Sequence, residues 1–187
     1  MSADDWTAAA LLALADGGIA AVAVEPLAAR LGTTKGSFYW HFRNRDALLA
    51  AALDRWERAE TEDVIAYLDA EPDLRRRLRR GLVVAIGGTP GEPAGSPVEL
   101  ALQSAAAHPL VAPALARVGR RRVTYLEALF AGLGMPPGPA RRRALMVYTA
   151  YLGYAQLVRS TPALAPDDLD AYTDELVATL TAPVDDS

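Results

Sequence analysis

Residues 25–45 read EPLAARLGTTKGSFYWHFRNR. Leu27, Ala28 and Leu31 recur at helical spacing before Gly32, and Phe38 repeats that apolar face after it. Thr34 stands where a side-chain oxygen caps a helix start. The pattern predicts two short helices, about 25–31 and 35–42, joined by a tight turn at Gly32. That is the layout of a helix-turn-helix, whose second helix enters the major groove and sends its first residues to base edges. The side chains left off the packing face are Thr33, Thr34, Lys35, Ser37, Tyr39, Trp40 and His41. Short donors, one cation and hydrogen-bonding aromatics suit phosphates and base edges. Trp40 has two alternatives, a DNA contact or packing against the following helix.

Charge agrees locally. From Leu27 to Arg45 stand Arg30, Lys35, Arg43 and Arg45, with no acid, and Lys35 is the only lysine of the chain. Globally the balance is opposite. The 187 residues carry 19 basic and 23 acidic side chains, net −4, which argues against unspecific coating of nucleic acid. Residues 1–48 taken together are also slightly acidic, so the basic patch is small and one-sided.

Outward from this stretch the chain reads as helix throughout, rich in Ala, Leu and Arg. A first helix is expected from about Asp5 to Asp16, stopped by Gly17-Gly18. Asn44 opens a long fourth helix over 45–69. Further helices are expected near 73–86, 97–107, 109–133, 140–160 and 167–181, about nine in all, with no strand. Breaks fall at the Gly/Pro-rich stretches 87–97, 134–139 and 160–166. The stretch 87–97 is a candidate gate for a ligand.

Other classes lose ground on composition. With no Cys there is no disulfide, thiolate zinc site or cysteine nucleophile. The two histidines, His41 and His108, lie far apart outside any metal-spacing motif. No paired carboxylates, nucleophile–His pair or phosphate loop is evident, so no catalytic residue, metal or cofactor is expected. The acidic start MSADDW is unlike a signal peptide, and apolar runs fall short of the roughly 20 residues that span a bilayer. A cytoplasmic protein without membrane contact is expected.

The combination LGTTKGSFYWHFRNRDALL at 31–49 resembles the tetracycline-repressor (TetR) family of bacterial transcription regulators, and the likeness extends over about residues 5–56. The resemblance implies an all-α chain. A three-helix DNA-binding head would occupy 1–47, and a helical body for ligand binding and dimerisation would occupy 48–187. It implies a homodimer on a palindromic double-stranded operator, probing successive major grooves, released by a small-molecule effector. A DNA-binding dimer without effector is the alternative. By resemblance Lys35, Gly36 and Ser37 approach bases or backbone, Tyr39 and His41 reach phosphates, and Arg45 clamps a phosphate. Phe38 and Phe42 anchor the recognition helix. Two departures stand out. Ala23-Val24-Glu25-Pro26 occupies the place of a Ser/Thr cap followed by polar or basic residues, so the helix at 25–31 is not expected to touch bases. Asp4 and Asp5 stand in place of a basic N-terminal extension.

In the body, an apolar or aromatic effector would meet polar groups among Gln103, His108, Tyr125, Tyr148 and Tyr151. The helix near 140–160 is apolar on nearly all sides and must be covered on all sides. With the last helix it is expected to form a four-helix seam between two copies, through Leu145, Ala150, Gly153, Leu157, Leu176 and Leu180. The arginine clusters at 75–80, 117–122 and 141–143 are expected to be solvated faces with their stems on apolar surface.

Overall fold

A computed structural model describes residues 1–87 and 96–183. Among these residues there is no strand. The helices are α1 (Ala3–Ala21), α2 (Val24–Arg30), α3 (Lys35–Tyr39), α4 (Arg45–Glu57), α5 (Asp63–Asp69), α6 (Leu74–Gly87), α7 (Pro97–Ser104), α8 (Val111–Gly132), α9 (Pro137–Ser160) and α10 (Leu169–Thr181). A π-helical run, Arg58–Glu62, joins α4 to α5 without a break, so residues 45–69 form the one long helix expected. The expected gate at 87–97 falls mostly on residues 88–95, outside the described residues.

Helix ends follow local chemistry. Ser2 and Asp5 cap α1 reciprocally: Ser2 Oγ accepts from the Asp5 amide, and Asp5 Oδ2 accepts from the Ser2 amide at 2.7 Å. Helical geometry lapses at Gly17 and at Gly18, whose φ is +68°, where the sequence puts the stop; one more turn follows to Ala21. Gly32, at φ +62°, makes the turn between α2 and α3. Thr34 accepts from the Ser37 amide and Asn44 from the Ala47 amide, capping α3 and α4. Ala23 gives α2 no side-chain cap. α3 is shorter than expected. The amides of His41 and Phe42 both donate to the Phe38 carbonyl, which tightens the last turn and leaves Trp40 and His41 outside the helix.

The chain forms two compact units. One comprises Met1–Asp63 and Pro97–Val118, the other Val64–Ser96 and Gly119–Ser187. The first is larger than a head of residues 1–47. Its core joins Trp6 and Leu14 of α1, Leu27 of α2 and Phe38 of α3 to Leu48, Leu49, Ala52 and Trp56 of α4. Leu102 of α7 and Val111, Ala114 and Val118 of α8 complete the same core. α1 thus packs both against α4 and against α7, which lies far beyond residue 47 in sequence.

The second unit packs Leu78, Leu82 and Ile86 of α6 with Val123 and Phe130 of α8, Ala144 and Val147 of α9, and Val177 and Leu180 of α10. Arg79 on α6 reaches Asp170 at 2.8 Å and also Asp174, tying α6 to α10. Several arginines of the three clusters find local partners of this kind. Arg76 and Arg80 pair with Glu71, Arg77 with Asp69, Arg117 with Glu57 and Arg141 with Glu127. These are largely solvated pairs, each stabilising by a small amount.

Candidate nucleic-acid interface

α3 is oriented by what it buries. The Phe38 ring, fully buried, meets Trp6 edge-on at 5.3 Å and stacks on Phe42 at 5.7 Å. With that face anchored, the opposite face of α3 and the following turn point to solvent. Thr34, Lys35, Gly36, Tyr39 and His41 are exposed, Thr33 and Ser37 are half-buried, and Trp40 is 89 % exposed. The indole of Trp40 therefore does not pack against α4.

Polar contacts define the surroundings of this surface. Lys35 Nζ donates to Glu25 Oε1 at 2.8 Å, linking the start of α3 to the start of α2. His41 Nε2 lies 3.1 Å from the Met1 carbonyl oxygen. Arg45 Nε and Nη2 donate to the carbonyls of Val22 and Ile19 at 2.6 and 2.5 Å. The fork that the resemblance assigns to a phosphate thus closes the end of α1, while Nη1 makes neither of these bonds. At Gly36 an added Cβ would meet only Thr34 Oγ1, at an ordinary 3.5 Å. The fold itself does not demand glycine there.

The candidate effector residues separate. Gln103 and His108 belong to the first unit, both half-buried, and the Leu110 amide donates to His108 Nδ1 at 3.3 Å, so this histidine supports the turn before α8. Tyr125, Tyr148 and Tyr151 belong to the second unit. The rings of Tyr148 and Tyr151 stack at 6.5 Å, and the Arg122 guanidinium lies 5.7 Å over Tyr151. A Cβ on Gly119 would stand 3.4 Å from the Tyr148 hydroxyl. Tyr125 is already engaged, donating to Asp69 Oδ1 at 2.9 Å. Burial, reinforced by that bond, pushes its hydroxyl from 10.0 up to about 12. The folded chain then keeps a proton that the unfolded chain releases near pH 10. The stabilisation is complete below that pH and is lost as pH rises toward 12. Urea midpoints followed by circular dichroism should fall between about pH 10 and pH 12, and Tyr125→Phe should show a smaller fall.

The proposed seam residues also divide. Leu145 is 41 % exposed beside exposed Met146, and the Gly153 Cβ position faces open space. Ala150, Leu157 and Leu176 are half-buried. Leu180 is 6 % exposed and belongs to the core of its own unit instead. Its i, i+3 spacing from Val177 explains the change: both lie on the α10 face turned to α6. Among the described residues no group of His, Asp or Glu could hold a metal ion, and no helix is long and apolar enough to cross a membrane.

Among the described residues the chain is helical, and its anchored, outward-facing α3 has the layout of a DNA-binding helix-turn-helix. Residues 7–52 match the family model described as bacterial regulatory proteins, tetR family. Over these residues the chain matches that family, and over the rest its likeness to known proteins is one of fold. No curated protein matches it in sequence. Among solved structures, a transcriptional regulator from Rhodococcus sp. Rha1 is similar, with TM-score 0.79 and 24 % identity, covering 96 % of each chain. FadR of Bacillus subtilis in complex with stearoyl-CoA gives TM-score 0.68 at 13 % identity, over 98 % of this chain and 100 % of that one. AibR in complex with isovaleryl coenzyme A and operator DNA gives TM-score 0.66 at 20 % identity, over 97 % and 99 %. At these identities the likeness establishes the fold.

The sequence missed the Glu25–Lys35 pair, the contact between His41 and Met1, and the carbonyl partners of Arg45. Only the first left a signal: opposite charges opening the two helices of one helix-turn-helix.

Proposed function

We propose that this protein is a cytoplasmic, ligand-responsive repressor that binds a palindromic operator as a homodimer and leaves it when a small molecule occupies the helical body. Residues 1–47 would be the DNA-binding head and 48–187 the regulatory and dimerising part. The observation that carries the DNA-binding role is the buried Phe38 anchor with Lys35, Tyr39, Trp40 and His41 held outward on the opposite side. Gly36 adds support. It sits exposed in a helix, where glycine is costly, at a position the fold leaves open to a side chain, as suits close approach of a DNA backbone. Thr33, Thr34 and Ser37 would complete the contacts, and Arg45 would offer a phosphate only the donors its carbonyl bonds leave over.

The two-fold dimer would set two recognition helices about 34–36 Å apart, one turn of duplex. Leu145, Met146 and Gly153 support a seam along α9, since an exposed apolar stripe with room for close approach suits a partner helix. The effector is proposed to be an organic molecule with an apolar or aromatic part, met by the stacked Tyr148 and Tyr151 of the second unit. The acyl coenzyme A molecules bound by two similar proteins belong to that chemistry. An effector preferring one spacing of the heads biases the dimer only by its differential affinity for the two states.

Selection of bound fragments from a random duplex pool tests the proposal. The wild-type protein is expected to enrich a palindrome, and a Tyr39→Ala, His41→Ala variant is expected to enrich none. Absence of enrichment by the wild type would refute sequence-specific dimeric binding.

A further inference from the structure

Glu25 Oε1 accepts from Lys35 Nζ at 2.8 Å, with the glutamate side chain 75 % and the lysine 53 % exposed. So solvated a pair adds little to stability. Its place gives it a consequence. Lys35 is the only lysine of the chain and the first residue of α3, and Glu25 is the only acid within residues 25–45. Hydrogen bonding first and charge second lower the Glu25 carboxyl and raise the Lys35 ammonium, so both stay ionised at neutral pH.

A lysine that neutralises a phosphate releases a counterion and binds every sequence alike. A lysine already neutralised by a carboxylate releases none, and the carboxylate itself repels phosphate. Base edges are different. An ammonium has three donors, so Lys35 can bond a guanine O6 or N7 while Glu25 holds another of its protons. We infer that Glu25 withholds Lys35 from phosphates, so that Lys35 contributes to base recognition and not to sequence-independent affinity. The inference rests on the DNA-binding role proposed above. It gives a function to the one acid of residues 25–45.

The test measures affinity for a random-sequence duplex and for the selected operator across a salt series. It compares the wild type, Glu25→Gln, Lys35→Met and the double variant, with circular dichroism confirming equal helix content. On random duplex, Glu25→Gln should steepen the slope of log affinity against log salt by about 0.9 per head, an extra loss of roughly 3.5-fold per head between about 50 and 200 mM. The double variant, which keeps the local charge at zero, should keep the wild-type slope on random duplex while it weakens operator binding. A wild-type slope in Glu25→Gln overturns the inference, and so does a shallower slope in the double variant. Equal steepening with and without Lys35 also overturns it, since Glu25 would then act by plain repulsion. A wild type that binds no duplex at all would overturn the DNA-binding role itself, a result distinct from these.

Discussion

Phe38→Ala is expected to destabilise the first unit by about 3–5 kcal/mol, the usual cost of emptying a buried aromatic site. Phe38 is fully exposed to protein and not at all to water, with the Trp6 and Phe42 rings against it. No neighbour on a five-residue helix can collapse into the space, because α3 has only this one buried anchor. A small domain has about 5–15 kcal/mol in total, so the loss takes much of the stability of the head. The readout is unusually clean. Trp6, Trp40 and Trp56 are the only tryptophans, and all lie in the first unit. Trp6 and Trp56 are buried in the same core as Phe38, so indole emission during urea unfolding follows this unit alone. Phe38→Leu, which keeps most of the volume, should cost about 1.5 kcal/mol or less. Equal indole transitions in Phe38→Ala and the wild type would show that α3 is not held by this ring, and the outward orientation of Lys35 and Tyr39 would lose its cause.

How much of this was legible in the sequence follows from the range of each interaction. Gly32, the Thr34 cap and the Phe38 anchor act within a few residues of one another, so the helix-turn-helix could be read directly. The Gly17-Gly18 stop and the Asn44 cap are equally local. The shortening of α3 was not legible: Trp40 and His41 are compatible with helix, and only the tightened turn onto the Phe38 carbonyl ends it. Nor was the π-helical run, since RAETE at 58–62 contains no breaker. Leu180 shows the limit of pattern alone. An apolar residue at helical spacing suits a partner chain or its own core, and packing against α6 decides between them. The division at residue 47 marks where the motif ends. The core continues, because α1 packs against both α4 and α7.

Arg45 is where motif and packing assign different work to one side chain, and Arg45→Ala separates them. The side chain is 35 % exposed and gives two hydrogen bonds to carbonyls of the turn that ends α1, from residues 23 and 26 positions earlier. Those carbonyls lie past the Gly17-Gly18 stop, at the helix end, where the Ile19 carbonyl also accepts from the Val22 amide at 3.2 Å. Val22 itself is fully buried, so water cannot simply take over at its carbonyl. Bonds from a charged donor contribute about 1.5–3 kcal/mol each when well shielded. Discounted for the exposure of the guanidinium, the pair is expected to contribute about 2–3 kcal/mol. Arg45→Ala should therefore lower the indole-monitored urea midpoint in the complete absence of DNA. Arg45→Lys keeps the charge but loses the planar fork, so it should recover less than half of that stability while holding the salt dependence of duplex binding near the wild-type value. If Arg45 acted on phosphate alone, both variants would unfold with the wild-type midpoint, and only Arg45→Ala would flatten the salt dependence. A measured drop in midpoint for both instead means that the junction between α1 and α4 is set by this arginine. Any shift of α4 that stretches these two bonds would then move the end of α1 with it.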